Sequence, residues 1–165
     1  MIAVLSITAA EAMLFREIRL RALQDSPDAF SSNYAAEACL TDREWVKRVA
    51  QWTGAGSVAF VALDDGVACG VAAGYLQKDD PTRVRLVSLW TAPTHRRRGL
   101  GRMLVERVAG WAQANRARTV CLLVTSSNEP AMRFYQCLGF TRTGHAQPYP
   151  NDPALLEYGM AREIG

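Results

Sequence analysis

Two changes of hydrophobic period mark the middle of the chain. Val84-Arg85-Leu86-Val87-Ser88-Leu89-Trp90 is apolar, β-branched and aromatic, which predicts a strand, and Pro93 closes it. Leu100, Met103, Leu104, Arg107, Val108 and Trp111 then fall at helical spacing, which predicts a helix running from the glycines to about Ala114 with one face buried. Upstream, Met1 to Thr8 reads as a first strand. Thr8 with Glu11 at N3 can cap a helix whose apolar face is Ala12, Phe15, Ile18, Leu20 and Leu23, ending at Ser26-Pro27. Arg16, Glu17, Arg19 and Arg21 are assigned to its solvated side.

Asp25 to Leu40 predicts an irregular connection that packs over its neighbours through Phe30, Tyr34 and Cys39. A capping box at Thr41 and Glu44 opens a second helix, with Trp45, Val46, Val49 and Trp52 inward. Ser57–Leu63 and Val67–Gln77 form a hairpin about Asp64-Asp65-Gly66, and Gly70 and Gly74 suggest a bulge or a close backbone approach. Thr119–Val124 is continuously apolar, as in a strand buried on both faces; the helix that joins it to the Val84 strand makes the two parallel. After Asn128 comes a helix with Ala131, Phe134, Tyr135 and Leu138, ended by Gly139. Phe140–Gly144 is a short strand, His145–Pro153 a loop and Leu155–Arg162 a last strand.

The turn Pro93-Thr94-His95-Arg96-Arg97-Arg98-Gly99-Leu100-Gly101 carries the chemistry. A helix N-terminus leaves backbone N–H groups unpaired, and its dipole favours an anion there. Gly99 and Gly101 have no Cβ, so a bulky diphosphate can approach the main chain beside three arginines.

Arg96-x-x-Gly99-x-Gly101 behind an apolar strand resembles the acetyl-CoA motif of the GNAT family of N-acetyltransferases. Asn128-x-x-Ala131-x-x-x-Tyr135, followed by Leu138-Gly139-Phe140, resembles that family's downstream helix and strand. The element order β-α-α-β-β-β-α-β-α-β-β is also the family's. The resemblance implies one acetyltransferase domain over residues 1–165 with an α/β (α+β) fold. Its mixed, mostly antiparallel twisted sheet would have about seven strands flanked by about four helices, splayed between the fourth and fifth strands. It further implies that the main chain of Leu89, Trp90 and Thr91 bonds the pantetheine arm of acetyl-CoA. Arg96, Arg97, Arg98, Gly99, Leu100, Gly101 and Arg102 would hold the diphosphate, with Asn128, Ala131 and Tyr135 on the far wall. The acceptor would lie against Phe30, Tyr34 and the loop from Tyr149 to Pro153.

Acetyl transfer from a thioester to an amine requires a deprotonated amine, a stabiliser for the carbonyl oxygen and a proton donor for the departing thiolate. Tyr135, a phenol protonated at neutral pH, is the expected general acid. A backbone N–H near Leu89 or Trp90, freed by a bulge, is expected to meet the carbonyl oxygen. Many family members carry a Glu on the strand before the glycine turn, where this chain offers only Arg85 and Ser88. Ser88 and, through water, Glu157 on the last strand are the candidates for the base; His145 is a further titratable group, for which solvation in a loop is the simpler role.

Composition narrows the partners. The 165 residues are 49% apolar and 21% charged, as in one soluble domain, and the net charge of +3 is too small to argue for nucleic acid. Three arginines at Arg96–Arg98 without an aromatic platform are also too small a nucleic-acid footprint. Cys39, Cys69, Cys121 and Cys137 lie far apart in apolar surroundings, which predicts reduced core thiols in a cytoplasmic protein and no metal site. The N-terminus lacks a basic leader and no apolar run reaches membrane-helix length, so neither a signal peptide nor a membrane partner is expected.

The expected activity is therefore N-acetylation of a primary amine on a small molecule, by direct transfer in a ternary complex with acetyl-CoA bound first. Acetylation of a protein N-terminus or lysine, and a non-catalytic acyl-CoA sensor, stay open beside it. Monomer and homodimer are equally compatible with the apolar last strand.

Overall fold

The hairpin about Asp65-Gly66 sets the first half of the sheet. Asp65 and Gly66 take φ of 49° and 85°, the left-handed pair that a tight hairpin requires, and join β2 (Ser57–Asp64) antiparallel to β3 (Val67–Leu76). Strand β1 (Ile2–Ser6) pairs with β2, and β4 (Arg83–Thr91) with β3, completing an antiparallel meander. From β4 the chain crosses through α4 (Leu100–Ala114) to β5 (Thr119–Thr125), which lies parallel to β4. Strands β6 (Thr141–Tyr149) and β7 (Asp152–Glu163) finish one seven-stranded sheet in the order β1-β2-β3-β4-β5-β7-β6. The computed structural model describes residues 1–165.

Strands β2 and β3 are buried along most of their length, so both faces of the sheet are covered. On one face, α4 lies close enough that a Cβ on Gly70 would sit 3.0 Å from Leu104, and one on Gly74 2.8 Å from Val108. These glycines therefore mark the close approach expected of them. The other face carries α1 (Ala12–Asp25) and α3 (Asp42–Trp52), which bury Phe15, Ile18, Leu23, Trp45 and Val49. Each such side chain contributes roughly 1.5–3 kcal/mol of transfer free energy. Both expected capping boxes, Thr8 with Glu11 and Thr41 with Glu44, are formed. The last helix is α5 (Glu129–Cys137).

Four expectations need correction. The Asp25–Leu40 segment is not wholly irregular: α2 (Tyr34–Ala38) forms where Asn33 accepts from the Ala36 N–H at 2.9 Å, which makes five helices rather than about four. The stretch His145–Pro153 is mostly strand rather than loop, because β6 continues to Tyr149; Pro148 is tolerated on this outermost strand, where one side of the ladder needs no donor. Val46 is exposed, since Trp45 and Val49 already fill the inward stripe of α3. Cys69 and Cys121 are buried thiols, but Cys39 and Cys137 are exposed at helix ends. No helix is long and apolar enough to cross a membrane.

The feature that positions the site is the parting of β4 and β5. Their pairing covers only Arg83↔Thr119, Val84↔Val120 and Arg85↔Cys121, whereas β7 pairs with β5 from Thr119 to Thr125. Beyond Arg85 one edge of β4 is therefore without a partner strand. On the other edge the β3–β4 register slips between Val71↔Trp90 and Ala73↔Val87, and Ser88, at φ 60°, stands in the bulge.

Candidate active site

A cleft of about 1440 Å³ opens where the strands part. Its walls are β4 from Leu86 to Thr91, β5 from Leu122 to Thr125 and α5, and it extends to Arg19, Phe30, Glu37 and Trp52 of the α1–α3 layer. The glycine turn forms one end. Gly99, at φ 80° with nothing within 4 Å of where a Cβ would stand, precedes α4 without any side-chain cap. The first bond of the helix runs from the Met103 N–H to the Gly99 carbonyl at 3.1 Å. The amides of Leu100, Gly101 and Arg102 are thus left for an external acceptor, at the positive end of the helix dipole. Gly101 has a second duty, because a Cβ there would meet the Phe134 ring at 3.0 Å.

The arginines divide. Arg97 and Arg102 are exposed on the lining; Arg98 lies outside it; Arg96 is tied back by its Nε to the Thr91 carbonyl at 3.0 Å and by its Nη2 to Asp25. Asp25 also accepts from Trp90 Nε1 at 2.9 Å. Burial pushes the Asp25 carboxyl up, but bonds from Ser26, Trp90 and Arg96 outweigh it and leave the group below its ordinary range. Arg96 is therefore a brace between the turn and α1, and it lines the cleft beside Arg97 and Arg102.

On the far wall, Asn128 caps α5 by accepting from the Ala131 N–H at 3.3 Å, and Tyr135 lines the cleft two turns later. The Tyr135 ring stands edge-on to Phe134 and Phe140, with centroids 5.3 and 5.6 Å away. Burial pushes its phenol well above the ordinary value, so it holds its proton throughout the neutral range.

The α1–α3 end holds what the hydrophobic pattern missed. Arg19, assigned to the solvated side of α1, is 6% exposed: it donates from Nε and Nη2 to the two Glu37 oxygens at 2.9 and 3.0 Å, and from Nη1 to Ser88 Oγ. Its guanidinium also faces the Phe30 ring at 4.8 Å and the Trp52 ring at 5.3 Å. Burial pushes the Glu37 carboxyl up; the Arg19 bonds and charge more than reverse this, so it stays ionised below its usual range. The signal was available, since position 19 falls four after Phe15 and three before Ala22, on the apolar stripe itself. Ser88, held by a cation, anchors the bulge and is a poor proton acceptor.

Of the expected acceptor contacts, Phe30 lines the cleft, whereas Tyr34 and Tyr149 do not. Tyr34 is 39% exposed elsewhere on α2, and Tyr149 is buried with its hydroxyl 2.7 Å from the Phe30 carbonyl and 3.0 Å from that of Pro27. Tyr149 thus braces the Phe30 loop and presents no group to an acceptor. Glu157 does line the cleft, 4% exposed, and accepts from Gln147 Nε2 at 3.2 Å. His145 lies on β6 with Nε2 2.9 Å from Gln147 Oε1, which fixes the amide so that its nitrogen faces the carboxylate.

A parted β4–β5 pair beside a bare helix N-terminus agrees with what the sequence matches. The profile of the Acetyltransferase (GNAT) family covers residues 19–140. The chain belongs to the GNAT family. It shares the GNAT fold with the acetyltransferase from Streptococcus pneumoniae, at a TM-score of 0.83 with 21% identity over 100% of both chains. An acetyltransferase from Salmonella typhimurium, solved with acetyl-CoA, superposes at a TM-score of 0.79 with 19% identity over 100% of this chain and 95% of that one. Among curated proteins, streptothricin acetyltransferase of Streptomyces lavendulae is 35% identical over 91 residues, 54% of this chain and 48% of its own length. N-acetyltransferase 8 of Homo sapiens is 34% identical over 95 residues, 55% of this chain and 41% of its own. The chain spans less than half the length of either curated relative. The GNAT family uses acetyl-CoA, and the unpaired β4 edge leading to the bare amides of α4 fits that molecule's amide-rich arm and diphosphate.

Proposed function

We propose that this GNAT chain is an acetyl-CoA-dependent N-acetyltransferase acting on a primary amine of a small molecule, by direct transfer with both substrates held at once. The observation that carries this reading is the continuity of one cleft from the bare amides of Leu100, Gly101 and Arg102, along the free β4 edge, to the buried carboxylate of Glu157. Acetyl-CoA supplies the acetyl thioester. The main chain of Leu89, Trp90 and Thr91 takes the pantetheine arm as an added strand would, and the α4 amides with Arg97 and Arg102 take the diphosphate.

An N–H at the Ser88–Leu89 bulge, outside the β3 ladder, stabilises the thioester oxygen as it gains charge. Glu157, oriented by Gln147, accepts the proton of the attacking amine, directly or through water. It supplies inside the cleft the carboxylate that β4 lacks, which favours an enzyme over a sensor. Tyr135 returns a proton to the departing sulfur.

Release of free CoA on incubation with acetyl-CoA and separate panels of small amines and peptides tests the assignment. Turnover of small amines alone is expected; turnover of peptides alone reassigns the chain to protein acetylation, and firm acetyl-CoA binding without turnover makes it a sensor. Tyr135→Phe should lower kcat by roughly 100-fold while calorimetry gives an acetyl-CoA Kd close to the parent's. A parent-like kcat would remove Tyr135 from the chemistry. Glu157→Gln should lower kcat by roughly 100-fold with the acetyl-CoA Kd close to the parent's, and a parent-like kcat would assign the base elsewhere.

A further inference from the structure

The acceptor end of the cleft carries more positive charge than the fold uses. Arg19 is fully engaged, by both Glu37 oxygens and by Ser88. Arg48 of α3 is engaged only in part: its Nη1 makes an ion pair with Glu37 Oε1 at 3.7 Å, too long for a hydrogen bond, and is a buried nitrogen without an acceptor. The Arg48 guanidinium rests on the ring of Trp52 at 5.0 Å, with that of Trp45 6.0 Å away. Those aromatic faces hold it beside Glu37, whose single negative charge it shares with Arg19.

Arg85 of β4 is the second case. Its Nε is likewise a buried donor without a partner, and it forms no salt bridge. Its direction follows from the strand. Val84 packs toward Gly74 and α4, where a Gly74 Cβ would meet Val84 at 3.3 Å and Val108 at 2.8 Å. Arg85, the next residue along a pleated strand, therefore projects to the opposite face, where Arg48 and Trp52 lie. Both arginines line the cleft. The carboxylates on its lining are Asp28, exposed; Glu37, already bound by Arg19; and Glu157, bonded to Gln147. None of these is within hydrogen-bond reach of Arg48 or Arg85.

Buried guanidinium donors without acceptors are costly, and the planar fork of arginine suits a carboxylate or phosphonate in particular. Building on the transferase reading above, we propose that the acceptor is a zwitterion of the amino-acid type. Its amine lies toward Glu157 and the bulge, and its anionic group is taken by Arg48 and Arg85 between the apolar walls of Phe30 and Trp52. A polycationic amine would meet two guanidinium charges at the same place and be disfavoured.

The test compares L-amino acids with their carboxamides, with aminophosphonates and with a polyamine, reading both CoA release and the thermal shift each causes in the CoA-saturated protein. Amino acids should exceed their carboxamides by roughly 10–100-fold in kcat/KM, the range expected of charge-assisted hydrogen bonds. The aminophosphonate arm shows which anion geometry the fork prefers. Arg85→Met should erase that preference through KM, leaving the acetyl-CoA Kd unchanged; Arg48→Met should act in the same direction.

Carboxamides or the polyamine used as well as the acids, with Arg85→Met indifferent, would overturn the proposal. If no amine is turned over, the transferase reading fails, but the anion site is still decided. A thermal shift given by amino acids, absent with carboxamides and lost in Arg85→Met, supports it; equal shifts or none refute it.

Discussion

Gly99→Glu abolishes acetyl-CoA binding by calorimetry while the protein remains folded. Both halves of that result follow from one position. Gly99 is exposed, and nothing lies within 4 Å of where its Cβ would stand, so the chain itself has room for a side chain. The cost to the fold is confined to placing an L residue at φ 80°, about 1–2 kcal/mol. At roughly 2–4 °C per kcal/mol for a chain of this size, Tm falls by only a few degrees.

The cost to binding is much larger. A carboxylate about 4 Å from a diphosphate opposes it by about 4 kcal/mol at an effective dielectric of 20. Kd therefore rises by at least about 100-fold. Gly99→Asn is the control, because asparagine tolerates the left-handed region and brings no charge; it should keep most of the affinity. An acetyl-CoA Kd unchanged in Gly99→Glu would mean that the α4 amides do not hold the diphosphate. Gly101 cannot make the same separation, since any side chain there strikes Phe134 at 3.0 Å and disturbs the α4–α5 contact as well as the ligand.

What the sequence made legible was local chemistry. The capping boxes at Thr8 and Thr41 and the left-handed turn at Asp65-Gly66 are written within four residues each, and all three form. The parallel β4–β5 crossover followed from the helical period between them, and the parting of those strands from the family resemblance rather than from any residue pattern. What stayed hidden was pairing at a distance. Arg19 looks solvated because arginine on a surface helix nearly always is; its burial depends on Glu37, in a short helix whose five residues carry too weak a period to announce themselves.

Tyr149 misled in the opposite direction. The family resemblance implied an acceptor-binding loop there, but its hydroxyl is spent on a carbonyl 119 residues earlier in the chain. Arg48 and Arg85 carry no sequence signal at all, because a buried donor without an acceptor is a property of the packed cleft. Hydrophobic period finds elements and caps; it does not say which charged side chain will be closed in with which.

Glu37→Leu is the second large effect, and it falls on stability. The variant leaves the Arg19 guanidinium buried against Phe30 and Trp52 without its carboxylate, a loss of about 3–5 kcal/mol for breaking a buried pair. That corresponds to a drop in Tm on the order of 10 °C. The double variant Arg19→Met with Glu37→Leu should recover most of it, because the penalty comes from the stranded charge and not from the absence of an ion pair. Acid distinguishes this account from simple loss of packing. The folded-state Glu37 carboxyl is held below its ordinary value, so the pair's contribution is fully present above the unfolded-state pKa, about 4.3, and is lost as pH falls through the folded value. The Tm difference between the parent and Glu37→Leu should therefore be widest at pH 7 and narrow steadily below about pH 4. A gap independent of pH would mean that Glu37 acts through shape alone. Because Arg19 also holds Ser88 in the bulge, the double variant separates the two duties: it should regain stability but not turnover, since nothing in it restores the bond from Arg19 to Ser88.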